Sequence, residues 1–348
     1  MKEGRRKTGD RFRGSAEAGF TLIEVLMALA IMTIAMTAVF ATFLSQQQSF
    51  TVQSRVAEMQ QNLRIAVDSM TRDIRMAGYG MPLTTNTVND NVALPGTMNP
   101  AGITTMRSLY AVDNTAGPDQ LYILYLYDMD DNQPPGTLSV MAADLTSVNV
   151  VIDNSLANGF LPGGGELVLV ADGVTADLFQ TTSVTAGTTP TLNFAGGPAY
   201  NGGSPLHTKL YVAGASPGFP PTVVGKARFV RYFIENNTLM VDRMIGGGVT
   251  PQPLADDIED LQLSYGLDTD SDGFVDASRN DMGDAVMTAG EIRQVRQVRL
   301  HLVARSRLPE KDWSGIRPAI GNHPGAATND GYRRRTIEVN IDVRNSGT

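Results

Sequence analysis

The chain has 348 residues, 42% of them hydrophobic and 18% charged, so it is neither disordered nor collagen-like and is long enough for a sizeable core. Six of its 28 basic residues but only three of its 36 acidic ones lie in residues 1–19, so the rest carries a deeper negative charge than the formal −8 of the whole. An acidic body excludes general nucleic-acid binding, which draws on phosphate neutralisation. The absence of cysteine excludes disulfides, thiolate metal sites and a cysteine nucleophile.

From Val25 to Ser54 no residue is charged, and the run from Phe20 to Leu44 is mostly apolar. As a helix those 25 residues would span about 37 Å, enough to cross a bilayer with some tilt. The basic cluster before the run, with no further basic residue until Arg55, predicts that residues 1–19 are cytoplasmic and the bulk of the chain lies across the membrane. One carboxylate, Glu24, stands inside the apolar run, where a charge needs a partner or a task.

"GFTLIEVLMALAI" (residues 19–31), behind a basic leader, resembles the type III signal of type IV pilins and pseudopilins. The resemblance implies cleavage by a prepilin peptidase between Gly19 and Phe20 and N-methylation of Phe20. It also implies that Glu24 pairs with the terminal amine of a neighbouring subunit during assembly, a cation offsetting the buried carboxylate.

Beyond Leu44, the residues Val52, Val56, Met59, Leu63, Val67 (or Ala66), Met70, Ile74 and Ala77 recur at helical spacing, while Arg55, Glu58, Arg64, Arg72 and Asp73 mostly avoid that stripe. "MAGYGMP" (76–82) supplies the stop. One helix is therefore expected over residues 20–80, its methionine-rich stripe serving as core packing.

Residues 83–118, rich in Thr, Asn, Pro and Gly, read as a surface connection. Strand candidates follow at 119–128, 148–153, 166–171, 209–214, 227–235, 238–245, 260–267, 295–306 and 336–345, several alternating as antiparallel strands do. Asn236-Asn237 is a candidate hairpin turn. "PGGGE" (162–166) and "IGGGV" (245–249) lack the remainder of a phosphate loop and read as turns.

Three stretches sharpen the family resemblance: "DDIEDLQLSYGLDTDSDGFVD" (256–276), "IRQVRQVRLHLVARSR" (292–307) and "YRRRTIEVNIDVRN" (332–345). With residues 55–80 and 117–125, they resemble PilW-type minor pilins in order, over about half of the chain. The implied fold class is α+β and type IV pilin-like. A cleaved leader (1–19) precedes a long helix (20–80, transmembrane over about 20–44) packed on an antiparallel β-rich body (81–348). The implied role is a minor pilin that primes or caps a type IV pilus. Its partners would be other minor pilins, the major pilin and the prepilin peptidase. It would wait in the inner membrane with its body in the periplasm, then move to the pilus. A type II secretion pseudopilin and a tip adhesin, acting through residues 130–220, remain open alternatives.

"DTDSDGFVD" places Asp268, Asp270 and Asp272 at alternate positions before Gly273, with the Phe274 carbonyl and Asp276 following, as in the first part of a calcium loop. Hard oxygen ligands without a nearby histidine favour calcium. Arg279 stands where an EF-hand has its closing glutamate, leaving Asp281, Asp284 or Glu291 to complete the set. A second acidic cluster, Asp128, Asp130 and Asp131, lacks the glycine. His207, His301 and His323 are scattered and no serine has a GxSxG setting, so no enzyme is expected. His301 falls on an outward strand phase, and Trp313 is read as a core anchor.

Overall fold

The computed structural model describes residues 19–81, 87–90, 106–126, 139–141, 149–152, 160, 162–172, 175–187, 189–194, 211, 213, 222–243, 251–280, 289–311 and 313–343. It confirms the α+β class. One helix, α1 (Leu22–Met76), is followed by β1 (Thr87–Asp90), β2 (Met106–Arg107), β3 (Leu109–Val112), β4 (Gln120–Leu126), β5 (Ser139–Val140), β6 (Asn149–Val151), β7 (Leu167–Ala171), β8 (Ala176–Gln180), β9 (Ser183–Thr185) and β10 (Thr191–Asn193). Then come β11 (Val223–Glu235), β12 (Thr238–Arg243), β13 (Gln252–Ala255), β14 (Ile258–Leu267), β15 (Ala277–Arg279), the short α2 (Ala289–Arg293), β16 (Val295–Arg305) and β17 (Arg334–Asp342). The chain divides after Ser54 into two compact units.

In the first unit the helix is long and apolar enough to cross a membrane, and its side chains from Leu22 to Thr51 are exposed. The hydroxyls of Thr33, Thr37 and Thr42 each donate to the carbonyl four residues earlier, at 2.7, 2.8 and 2.9 Å. Those polar atoms are thereby satisfied within the helix, as an apolar solvent requires.

In the second unit the helix buries Met59, Leu63, Ala66, Met70 and Ile74, with Ala77 just beyond its end, in one core with β3, β4, β11, β12, β14 and β16 residues. The apolar stripe is thus the packing face, with Val56 and Val67 at its margin. Asp73 does not avoid this face. It is buried, and accepts hydrogen bonds from the hydroxyls of Tyr125 (3.0 Å) and Tyr232 (2.6 Å), with Arg243 Nη2 at 3.8 Å. Burial, with Asp73 as a neighbour, pushes the Tyr125 phenol up to about 12 and raises that of Tyr232, so both remain donors.

The helix stop is stitched to the sheet: Gly78 N–H donates to Leu124 O and Leu126 N–H to Tyr79 O. Gly80, at φ 77°, lies where an added Cβ would fall 2.1 Å from Leu126 Cδ1, so this close approach admits only glycine.

The largest sheet has ten strands along the order β13-β12-β11-β7-β8-β1-β2, with β4 and β5 also on β11 and β3 on β4. A three-stranded sheet runs β6-β10-β9, and a four-stranded one β15-β14-β16-β17. Among the described residues the pairings are antiparallel except β1 with β8, in line with the expected antiparallel β-rich body. Asn236 and Asn237 both have positive φ and join β11 to β12 as the tight hairpin their side chains favour. Residues 83–118 are more than a surface connection, because β3 lies in that span and buries Leu109, Tyr110 and Ala111. Most of the 209–214 candidate and "IGGGV" fall outside the described residues.

Candidate assembly and cation sites

At the N-terminus, Gly19 and Phe20 precede α1 as exposed extended chain. Thr21 and Glu24 close the first turn reciprocally. The Thr21 N–H and hydroxyl donate to Glu24 Oε2, both at 3.0 Å, and the Glu24 N–H donates to Thr21 Oγ1 at 3.3 Å. This is a capping box, two orphan amides satisfied by two side chains. The T-x-x-E spacing carries that signal in the sequence. Glu24 therefore has an intrachain task, holding its carboxylate at the helix start where the macrodipole favours negative charge.

The acidic loop joins β14 to β15. Asp268, Asp270 and Asp276 each offer a carboxylate oxygen within 4.8 Å of the others. The loop turns through Ser271 (φ 65°) and Gly273 (φ 91°). Asp268, buried, accepts from the backbone N–H of Asp272 (3.1 Å) and Gly273 (3.1 Å), and pairs with Arg296 Nε at 3.1 Å. Thr269 gives its N–H and hydroxyl to Asp276 Oδ2, holding that carboxyl below the ordinary range. The Asp272 N–H draws the Asp270 carboxyl down, but desolvation and the Asp272, Asp276 and Asp268 charges outweigh it and leave Asp270 raised.

Asp272 is not in the convergent group; its Oδ1 accepts the Phe274 N–H at 2.8 Å, while the Phe274 side chain is 73% exposed. Glu291 pairs with Arg279 at 3.1 Å. Asp281, Asp284 and the cluster Asp128, Asp130 and Asp131 lie outside the described residues. Three converging hard oxygens suit a divalent cation, with Arg296 supplying part of the positive charge.

His301, His323 and Trp313 make contacts within the body. His301 is half-buried, which lowers its pKa, and stands 3.7 Å from Glu338. His323 is buried with Nδ1 2.7 Å from Asp260 Oδ2. Trp313 is no core anchor: it is 39% exposed, with the Arg333 guanidinium 3.9 Å over its ring. His207 lies outside the described residues. Sequence reasoning missed the buried Asp260, to which Arg317 Nη1 donates at 2.9 Å; a carboxylate in a strand gives no sign that an arginine and a histidine from a distant loop cover it.

Three comparisons bear on these sites. No curated protein matches the chain. A solved type IV-like pilin from Thermus thermophilus is 12% identical, over 83% of this chain and 97% of that one, at a TM-score of 0.36. Residues 14–40 match the prokaryotic N-terminal methylation motif, which spans Gly19, Phe20 and the capping box. Residues 231–345, from within β11 to the end of the four-stranded sheet, match the type IV pilus-assembly protein W family. The chain is PilW-like across this C-terminal third, behind the N-terminal methylation motif of type IV prepilins.

Proposed function

We propose that this chain is a minor pilin that primes assembly of, or caps, a type IV pilus within a minor-pilin complex. The observation that carries the reading is the joining in one chain of a methylation-motif helix, capped at Glu24, to a W-family sheet. Its work is assembly rather than turnover. A prepilin peptidase cuts between Gly19 and Phe20, Phe20 becomes the N-methylated terminus, and the body stands on the periplasmic side of the inner membrane. On entry to the filament, Glu24 exchanges its Thr21 contacts for a neighbour's terminal amine, and the apolar surface of residues 22–44 is covered by the helices of other minor pilins and the major pilin.

Calcium is the cation proposed for the loop, held by Asp268, Asp270 and Asp276 with the Phe274 carbonyl. It would offset the mutual repulsion felt at Asp270 and fix the exposed Phe274 for a neighbouring subunit.

A deletion strain counted for pili by electron microscopy tests the role. It is complemented with wild type, with Glu24→Ala, or with Asp268, Asp270 and Asp272 all changed to Ala. The expected result is loss of pili, restored by wild type alone, with Glu24→Ala cleaved but absent from sheared filaments. Abundant pili in the deletion strain that no longer attach would replace this role with a tip adhesin, and a secretion defect alone with a type II pseudopilin.

A further inference from the structure

Strand β14 meets β15 through Tyr265–Leu267, and among the described residues the edge at Leu261 and Leu263 has no strand partner. One residue fills it. Asp119, fully buried just before β4, donates its N–H to Leu261 O (2.8 Å), and its Oδ2 accepts the Leu263 N–H (2.8 Å). Its Oδ1 accepts the Asn114 N–H (2.8 Å), closing its own turn, and Gln262 Nε2 reaches Gly117 O at 2.9 Å. The β4 sheet and the β14 sheet are thus hydrogen-bonded through the backbone and the carboxylate of Asp119, with Gln262 beside it.

The charges around it are mostly of its own sign. Asp113 lies in the same turn, its Oδ1 accepting from Asn322 Nδ2 at 2.7 Å. From β14 comes Asp260, and behind it, from the loop after β16, the Arg317 guanidinium and the His323 imidazole, both spent on Asp260 Oδ2. No cation pairs with Asp119 among the described residues, although Asp113 and Asp260 both act on it. A buried carboxylate with two neighbouring carboxylates and no counter-charge favours a bound proton.

We propose that Asp119 is a proton-linked joint between the two sheets, taking up a proton as the body folds, so that the joint strengthens as the medium acidifies. The neutral acid keeps a carbonyl oxygen for one of its two amides and sheds the charge facing Asp113 and Asp260. Burial pushes the Asp119 carboxyl up to about 7; the Asn114 and Leu263 amides pull it down, and Asp113 and Asp260 push it further up. The unfolded chain releases the same proton near 4, so between about pH 4 and about pH 7 the folded chain holds more protons. The contribution is present at the acid end of that window and is lost as pH rises through 7.

The test is thermal unfolding of the full chain in detergent micelles between pH 5.5 and pH 8, for wild type and Asp119→Asn. Asparagine copies the neutral acid. Wild type should lose roughly 4 °C in Tm across the range, and the variant should lose less by about that amount. Any share from other groups persists in both chains and drops out of the difference. Equal slopes would overturn the proposal. Should Asp119→Asn fail to fold, Asp113→Asn keeps the joint and removes one neighbouring charge. The midpoint of its stability profile should move to lower pH, and hydrogen exchange at the Leu263 amide, corrected for intrinsic rate, should slow on acidification in wild type. An unmoved midpoint with pH-independent exchange would equally sink it.

Discussion

The two stretches of α1 on either side of Ser54 are one helix suited to two different solvents. From Leu22 to Leu44 the side chains are exposed and mostly apolar, and the hydroxyls of Thr33, Thr37 and Thr42 turn inward on their own backbone. From Arg55 to Met76 the same helix buries a narrow stripe, and within it a carboxylate, Asp73, satisfied by two tyrosines. The first stretch presents apolar surface that needs a lipid or protein neighbour; the second hides a charge that needs none. Hydrophobic run length marks the one, and hydrogen-bond completeness holds the other.

The largest expected effect strikes the second stretch. Asp73→Ala removes the carboxylate that accepts from the Tyr125 hydroxyl, leaves that of Tyr232 with Ser69 Oγ at 3.0 Å, and should cost about 3 kcal/mol. Chemical unfolding of the full chain in micelles, followed by the fluorescence of Trp313, would show it; a loss below about 1 kcal/mol would mean that water reaches the site and the contrast is overdrawn. Next is the proposed cation. Calcium at about a hundred times its Kd should add about 2.7 kcal/mol to the body, and Asp270→Ala should abolish that gain, read as a calcium-dependent Tm. The smallest effect belongs to the first stretch. Thr21→Ala removes half of the capping box and should cost about 1 kcal/mol, seen as faster hydrogen exchange at Glu24 while the Tm of the body stays fixed. Movement of that Tm would break the separation between the stretches.

What was legible in the sequence followed the strength of its period. The helix was readable from Met59 to Ala77 because one apolar residue recurs each turn, and β4, β11, β12, β14, β16 and β17 because their runs are long or alternate cleanly. Strand β3 is four residues inside a Thr- and Asn-rich span, and β8 to β10 are short with polar flanks, so turn-like composition hid them. At the acidic loop, spacing suggested that Asp272 would join Asp268 and Asp270, but its side chain caps the turn at Phe274 instead. The buried carboxylates were hardest to see. The sequence gives no sign of the partners of Asp73, Asp119 and Asp260, which come from other elements, up to 159 positions away for Tyr232 with Asp73. The capping box could have been found, since Thr21 and Glu24 are three apart at the helix start.

Strand β17 ends its sheet, and its outer side has no further strand among the described residues. A free edge nine residues long would ordinarily invite a second copy to add itself by backbone pairing. Here Arg334, Arg335, Glu338 and Asp342 punctuate it at short intervals, leaving no long uncharged run to template a neighbour. Copies crowded side by side can therefore remain single.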